Sequence, residues 1–160
     1  MIENIASLCK RITQGVYVIG VAEGKNKNAF TAAWVMQVSF DPVLLAFSIN
    51  PEHYSYQLLQ SGGICTVNVL RRDQMKVADH FGRPGFRDKM AGYQWDQAKT
   101  GAPILADAIC YFDCKVNHYC DAGDHKLVVC RVVDAAALNN GDPMLYGDTG
   151  NLDGSDEIYS

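Results

Sequence analysis

A chain of 160 residues, 48% hydrophobic and 20% charged, can bury one core and is short for two. Its net charge of −4 argues against a phosphate-tracking nucleic-acid surface, which needs clustered Lys and Arg; the densest basic pair, Arg71-Arg72, is followed at once by Asp73. No apolar run nears the roughly 20 residues that span a bilayer, and Met1-Ile2-Glu3-Asn4 is no secretory leader, so the expectation is a soluble cytoplasmic protein with neither nucleic-acid nor membrane partners.

Residues 3–12 (ENIASLCKRI) put Ile5, Leu8, Cys9 and Ile12 on one helical face and predict a short leading helix. Residues 15–22 (GVYVIGVA) form a continuous β-branched run, followed by the polar loop EGKNKN. Residues 29–49 (AFTAAWVMQVSFDPVLLAFSI) read as two apolar strands joined at Asp41-Pro42, yet they carry Thr31, Gln37, Ser39 and Ser48 among core-bound neighbours. Asn50-Pro51-Glu52 opens a helix with Tyr54, Leu58 and Leu59 apolar and Gly62-Gly63 as its stop. A strand at 64–70 (ICTVNVL) and a helix at 71–81, with Met75, Val77, Ala78 and Phe81 apolar and Gly82 ending it, come next.

Residues 83–103, rich in Gly, Pro and charge with Phe86, Met90, Tyr93 and Trp95 among them, read as one long loop, a class of segment that often carries function. Residues 108–117 then alternate: Cys110, Phe112, Cys114 and Val116 face a core, Tyr111, Asp113, Lys115 and Asn117 face water. Residues 126–134 (KLVVCRVVD) are the natural antiparallel partner, with CDAGDH as the turn. Residues 1–150 make one domain, and 151–160 end a polar, acidic, loosely held tail that starts at 147. Many short strands and few helices predict a mainly β protein, a closed or nearly closed barrel with helices outside.

Six cysteines, at 9, 65, 110, 114, 120 and 130, lie mostly in apolar strand patterns, which favours reduced, buried thiols over a disulfide scaffold. Cys114, His118, Cys120 and His125 are close in sequence and of zinc-binding type, but Cys114 points with Phe112 and Val116 to the apolar face and the spacing lacks a C-x2-C knuckle, so no metal is expected. The chain has no G-x-G-x-x-G after a strand, no P-loop, no H-E-x-x-H and no G-x-S-x-G. A Rossmann site, a nucleotide-phosphate loop, a zincin and an α/β-hydrolase are all disfavoured.

In order and spacing, NAFTAAWVMQVSFDPVLLAFSIN, ICTVNVL, ADHFG, TGAPIL, AICYFDCKV and DAGDH resemble the flavin reductase-like family of FMN-binding split β-barrels, over roughly residues 12–150. The resemblance implies a six-stranded Greek-key barrel with peripheral helices, a homodimer with FMN near its interface, and an NAD(P)H-linked reduction of flavin. It implies that Phe30, Thr31, Ala32, Ala33 and Trp34 lie along the flavin ring, and that Gln37, Ser48, Ile49 and Asn50 lie beside the ring edge, ribityl chain or phosphate. His53, Tyr54, Ser55 and Tyr56 match a phosphate-binding turn at a helix start; Phe81, Gly82 and Tyr146 approach from other sides, as does His125, the one candidate catalytic side chain. Glu52 and His53 stand where the family often carries a Lys or Arg.

The residues also support this chemistry on their own terms. Small side chains at Ala32 and Ala33 let backbone N–H groups approach a flat ring. A helix opening at 51–55 offers unpaired N–H groups and a positive dipole end to an anion. Plainer readings stand beside these: Thr31, Ser39 and Ser48 as half-exposed strand residues, Ser55 as an ordinary helix-start residue, His125 as a turn residue bonded to Asp121 or Asp124. Hydride transfer to a flavin needs close stacking and little acid or base help, so the lack of a catalytic dyad is consistent with an NAD(P)H:FMN oxidoreductase. The alternative is an FMN-binding electron carrier that serves a redox protein partner; a third reading is an interaction protein that binds no flavin.

Overall fold

The computed structural model describes residues 5–84 and 88–155; Phe86, expected in the long loop, lies outside them. A short helix α1 (Ile5–Cys9) precedes strands β1 (Tyr17–Glu23), β2 (Asn26–Ala32), β3 (Val35–Phe40) and β4 (Val43–Ile49). Helix α2 (Tyr54–Gly62), strand β5 (Ile64–Val69) and helix α3 (Met75–Gly82) follow. The chain ends with β6 (Trp95–Gln97), β7 (Pro103–Leu105), the long hairpin β8 (Cys110–Ala122) and β9 (His125–Ala137), and a 3-10 turn at Tyr146–Asp148. The protein is mainly β, with one antiparallel seven-stranded sheet in the order β2-β1-β5-β8-β9-β4-β3 and a separate β6-β7 pair. Seven strands stand where six were expected.

The two edge strands of that sheet, β2 and β3, are consecutive in sequence, with only Ala33 and Trp34 between them. Laid flat, six strand spacings of about 4.8 Å would put the edges roughly 29 Å apart, whereas the chain from Ala32 to Val35 reaches about 10 Å at most. The sheet therefore curls until its edges meet, and Phe30 on β2 packs on Phe47 of β4 with ring centroids 6.2 Å apart. One core, with Ile19, Phe47, Leu59 and Val67 fully buried, fills the concavity. A second, around Leu70, Phe81, Leu105 and Met144, lies between sheet, α3 and the C-terminal segment.

Several sequence expectations change here. The EGKNKN loop is a tight hairpin in which Glu23 pairs with Asn26 and Gly24 takes φ 57, a conformation that glycine adopts without penalty. The long loop contains β6 and the first residue of β7, and the CDAGDH turn is mostly strand, with only Gly123 and Asp124 between β8 and β9. Among the described residues the leading helix runs over Ile5–Cys9, and Ile5 and Leu8 on its predicted core face are exposed, as is Ile12 beyond its end. Asp113, expected in water, keeps the face opposite Phe112 and Cys114 but is fully buried, because the segment 100–105 packs over that face; its carboxylate accepts from Thr100 N (3.0 Å) and Thr100 Oγ1 (2.6 Å).

The cysteines are all free. Cys65, Cys114 and Cys130 are buried together, and contact with Cys114 and Cys130, reinforced by burial, pushes the Cys65 thiol well up, so it stays protonated. His118 and Cys120 are exposed while Cys114 sits in the core, so these candidate zinc ligands do not gather.

Helix α2 is held against β1 so tightly that a Cβ at Gly62 would stand 1.9 Å from the Ala22 carbonyl oxygen. A backbone atom cannot rotate away. Gly62→Ala is expected to lower unfolding stability by about 1–3 kcal/mol, the range for overpacking a tight contact, read as a lower urea midpoint.

Candidate active site at the sheet seam

Where the two edges of the curled sheet meet, a cleft of about 330 Å³ opens. Its wall is built from three stretches of backbone. Phe30, Thr31, Ala32, Ala33 and Trp34 run from the β2 edge into the link; Ser48, Ile49 and Asn50 come from the end of β4, with His53 just beyond; Gly82 comes from the end of α3. An edge strand presents a row of N–H and C=O groups that no neighbouring strand uses. At this seam such a row lines a pocket.

The local sequence explains why the pocket stays open. Alanine at 32 and 33 leaves the link without bulk, and the Thr31 hydroxyl is turned away, donating to the Ala78 carbonyl of α3 at 2.6 Å. Trp34 continues the β3–β4 ladder, its carbonyl accepting from Ser48 N at 3.1 Å. Its ring meets that of His125 edge-on, centroids 5.2 Å apart, and His125 Nδ1 lies 2.7 Å from Asp124 Oδ1.

The start of α2 stands beside the cleft. Asn50 shapes the turn: its carbonyl accepts from His53 N (3.1 Å) and its side-chain Oδ1 from Glu52 N (2.9 Å). The first amides of a helix lack intrahelical acceptors and carry the positive end of its dipole. Desolvation lowers the His53 pKa from the ordinary 6.5, the positive charges of Lys89 and His125 lower it further, and Glu52 opposes them. Lys89 thus brings from a distant loop a positive charge that the residues 52 and 53 do not supply. The set suits an anion at one part of the cleft and a flat uncharged group against the link.

The flavin reductase like domain model matches residues 9–153, nearly the whole chain. The chain belongs to this family. It is 34% identical over 139 residues to the high molecular weight rubredoxin of Moorella thermoacetica, covering 84% of this chain and 61% of that protein. It is 32% identical over 139 residues to the FMN reductase (NADH) RutF 1 of Methylorubrum extorquens, covering 86% of this chain and 69% of that one. Among solved structures, BorF, the flavin reductase component of a bacterial two-component tryptophan halogenase, superposes with a TM-score of 0.81 at 27% identity over 91% of this chain and 93% of BorF. The chain spans less than two thirds of the length of several curated relatives it matches.

Of the residues that the family resemblance implicates, Tyr146 and His125 join the cleft wall with those named above. Five side chains do not. Gln37 lies exposed on β3, its amide donating to the Ser39 carbonyl at 3.2 Å. Tyr54 points to solvent, 52% exposed. Tyr56 turns inward, edge-on to Tyr119 at 5.9 Å, and Phe81 is buried among His80, Tyr93 and Trp95. Ser55 is buried, with its Oγ accepting from Asn28 Nδ2 at 3.0 Å, so its hydroxyl ties α2 to β2. Helical geometry is the reason: positions 54, 55 and 56 point in three directions, and only backbone can serve one ligand from all of them.

The family member's cleft also has a wall that the sequence reading missed. Val16, Thr149, Leu152, Asp153 and Ser155 line it, the last four from a segment that composition marks as a loose tail. Residues 147–155 are instead built onto the body, and Leu152 packs on the second core. Leu152, the one large apolar residue between Gly147 and Asp156, was the available signal.

The Ser55 contact predicts that Ser55→Ala lowers stability by about 1 kcal/mol through the lost hydrogen bond and leaves the cleft's ligand affinity within twofold of wild type. Paired urea melts and fluorescence titrations check it.

Proposed function

We propose that this chain is an NAD(P)H-dependent flavin reductase that transfers a hydride from nicotinamide to FMN. The observation that carries the reading is the seam cleft: an edge backbone floored by alanine, with a helix N-terminus and His53 beside it. These residues fit FMN. Bound FMN would supply the electron chemistry, as acceptor of the hydride. The chain's own part is to position and to exclude water. Ala32 and Ala33 admit the ring against the backbone, and edge N–H groups serve its carbonyl oxygens. The α2 amides with Asn50 and His53 take the phosphate. Trp34 and His125 form a fixed aromatic rim, the histidine ring oriented by Asp124. Hydride transfer needs no proton moved by the protein, so the His125–Asp124 pair at the cleft serves to hold that rim rather than to act as an acid or base.

The names of two relatives support the reading, an NADH-linked FMN reductase and a halogenase's flavin reductase component. The similarity to a high molecular weight rubredoxin favours a second reading, an FMN-binding electron carrier that hands electrons to a redox protein partner. The curled sheet with a seam supports a split-barrel description. A homodimer completes the proposal: β3 and its turn expose Met36 (62%), Val38 and Phe40 (88%) beside Trp34, an apolar edge that a soluble protein ordinarily covers, and a second copy covers it.

Three measurements test this. The purified chain is expected to oxidise NADH or NADPH only when FMN is present; absence of turnover with retained FMN binding supports the carrier instead, and absence of both overturns the reading. A phosphate near His53 stabilises its imidazolium, so FMN should raise the His53 pKa from its lowered value and bind more tightly as pH falls through that range, while riboflavin does neither. Histidine titration by NMR with each flavin reads the sign. Phe40→Asp should convert a dimer to a monomer in sedimentation at micromolar concentration, and an unchanged sedimentation coefficient would place the dimer contact elsewhere.

A further inference from the structure

The loop between α3 and β6 carries a cation that no structural contact explains. Lys89 is half-buried, and among the described residues its ammonium has no ion-pair or hydrogen-bond partner. Burial lowers its pKa from the ordinary 10.5, and no nearby carboxylate pulls it back. Asp88 beside it accepts from Met90 N at 2.9 Å and so serves its own turn. An ammonium drawn partly out of water without a partner carries a desolvation cost that nothing in the fold offsets.

The backbone under this side chain is fixed. The Lys89 carbonyl can only accept, so His80 Nε2, 2.9 Å away, donates to it. Trp95 Nε1 donates to the next carbonyl, that of Met90, at 2.9 Å. The His80 ring is itself packed against Phe81 and Tyr93, with centroids 4.8 and 4.9 Å away. Helix α3, which carries His80, ends at Gly82 in the cleft wall. The loop is therefore tied to a wall-forming helix at the very residue whose side chain is left unpaired.

That side chain acts on the start of α2. The charges of Lys89 and His125 both reach His53, and the two histidines line the cleft. The carboxylates that oppose them are Glu52, exposed and the weakest influence on His53, and Asp124, which is bonded to His125. Lys89, His53 and the first amides of α2 thus bring positive potential to one place from two elements without a matching anion. A phosphate group supplies that anion. Under the flavin reading it comes from FMN or from the pyrophosphate of the nicotinamide substrate. A terminal phosphate monoester offers three oxygens and up to two charges to such a set, and each pyrophosphate phosphorus offers one charge, so FMN is the better match.

We infer that Lys89 is a phosphate-binding residue of this cleft: its ammonium joins His53 and the α2 amides on the terminal phosphate of FMN and sets a preference for FMN over riboflavin, an assignment that rests on the flavin reading above. It makes the loop after α3 part of the flavin site. Because the contact is ionic and lies partly in water, it weakens as salt rises, whereas riboflavin binding does not.

The test uses the full chain as wild type, Lys89→Met and Lys89→Arg. FMN and riboflavin affinities come from fluorescence titration at low and high salt, alongside the KM for NADH or NADPH and the melting temperature of the flavin-free protein. Lys89→Met should weaken FMN about ten- to a hundredfold, the size of one charge-assisted hydrogen bond, and leave riboflavin within about twofold. It should keep or raise the flavin-free melting temperature, because it removes a desolvated charge. Lys89→Arg keeps the charge and should hold FMN within about threefold of wild type. Equal FMN affinity in wild type and Lys89→Met would overturn the inference, and a rise in the nicotinamide KM alone would assign Lys89 to the dinucleotide instead. An equal loss for both flavins with a lower melting temperature would make Lys89 structural and overturn it as well. In these cases wild type still binds flavin and the flavin reading stands; wild type that binds neither flavin removes that reading and this inference together.

Discussion

The structure depends on one covalent constraint, the two-residue link Ala33-Trp34 between strands that lie at opposite edges of a seven-stranded sheet. Such a link cannot cross the width of a flat sheet, so it forces the curl. The curl in turn makes the concave core around Phe47 and Leu59. It also leaves the edges adjacent where hydrogen-bonded pairing between them is not made, and that gap is the cleft. Fold and site are thus one consequence of the same short link.

A site made mostly of backbone explains the modest electrostatics. The ion pairs Arg83–Asp79, Lys126–Asp121 and Lys99–Asp134 lie on exposed surface and add little. At the cleft the titratable groups are few, with His53, His125 and Lys89 near the α2 start and Asp153 on the C-terminal segment of the wall. This division suits a ligand with one anionic end and a neutral, donor-rich body.

The polar residues that interrupt the apolar strands have two different uses. Thr66 and Asn68 on β5 and Asp113 on β8 are buried staples. The Asn68 amide donates to Val18 O (2.9 Å) and accepts from Leu105 N (3.0 Å), while Asp113 fixes the turn at Thr100. They anchor the β6-β7 pair onto the sheet, a role that no strand period reveals because each partner is more than ten residues away. Ser48, by contrast, lines the cleft, and Thr31 both lines it and ties β2 to α3.

The sequence by itself determined the class of the protein and much of its site. β-branched runs, short spacings and the order of motifs from NAFTAAW to DAGDH carry a mainly β domain and its family, because pleat period and turn chemistry are local. The link, the strand end at Ser48 to Asn50, His53, Gly82, His125 and Tyr146 were legible through the family resemblance that those motifs carry, and the structure brings them to one cleft. The tertiary structure alone decided which side chains of the α2 start face the cleft, since Ser55 and Tyr56 answer to the neighbours Asn28 and Tyr119, distant in sequence. It alone decided that the segment 100–105 covers the β5–β8 face and buries Asp113. It also turned an acidic, glycine-bearing tail into a wall, because that outcome rests on contacts of Lys10, Tyr146 and the second core with residues whose composition, taken alone, favours solvent.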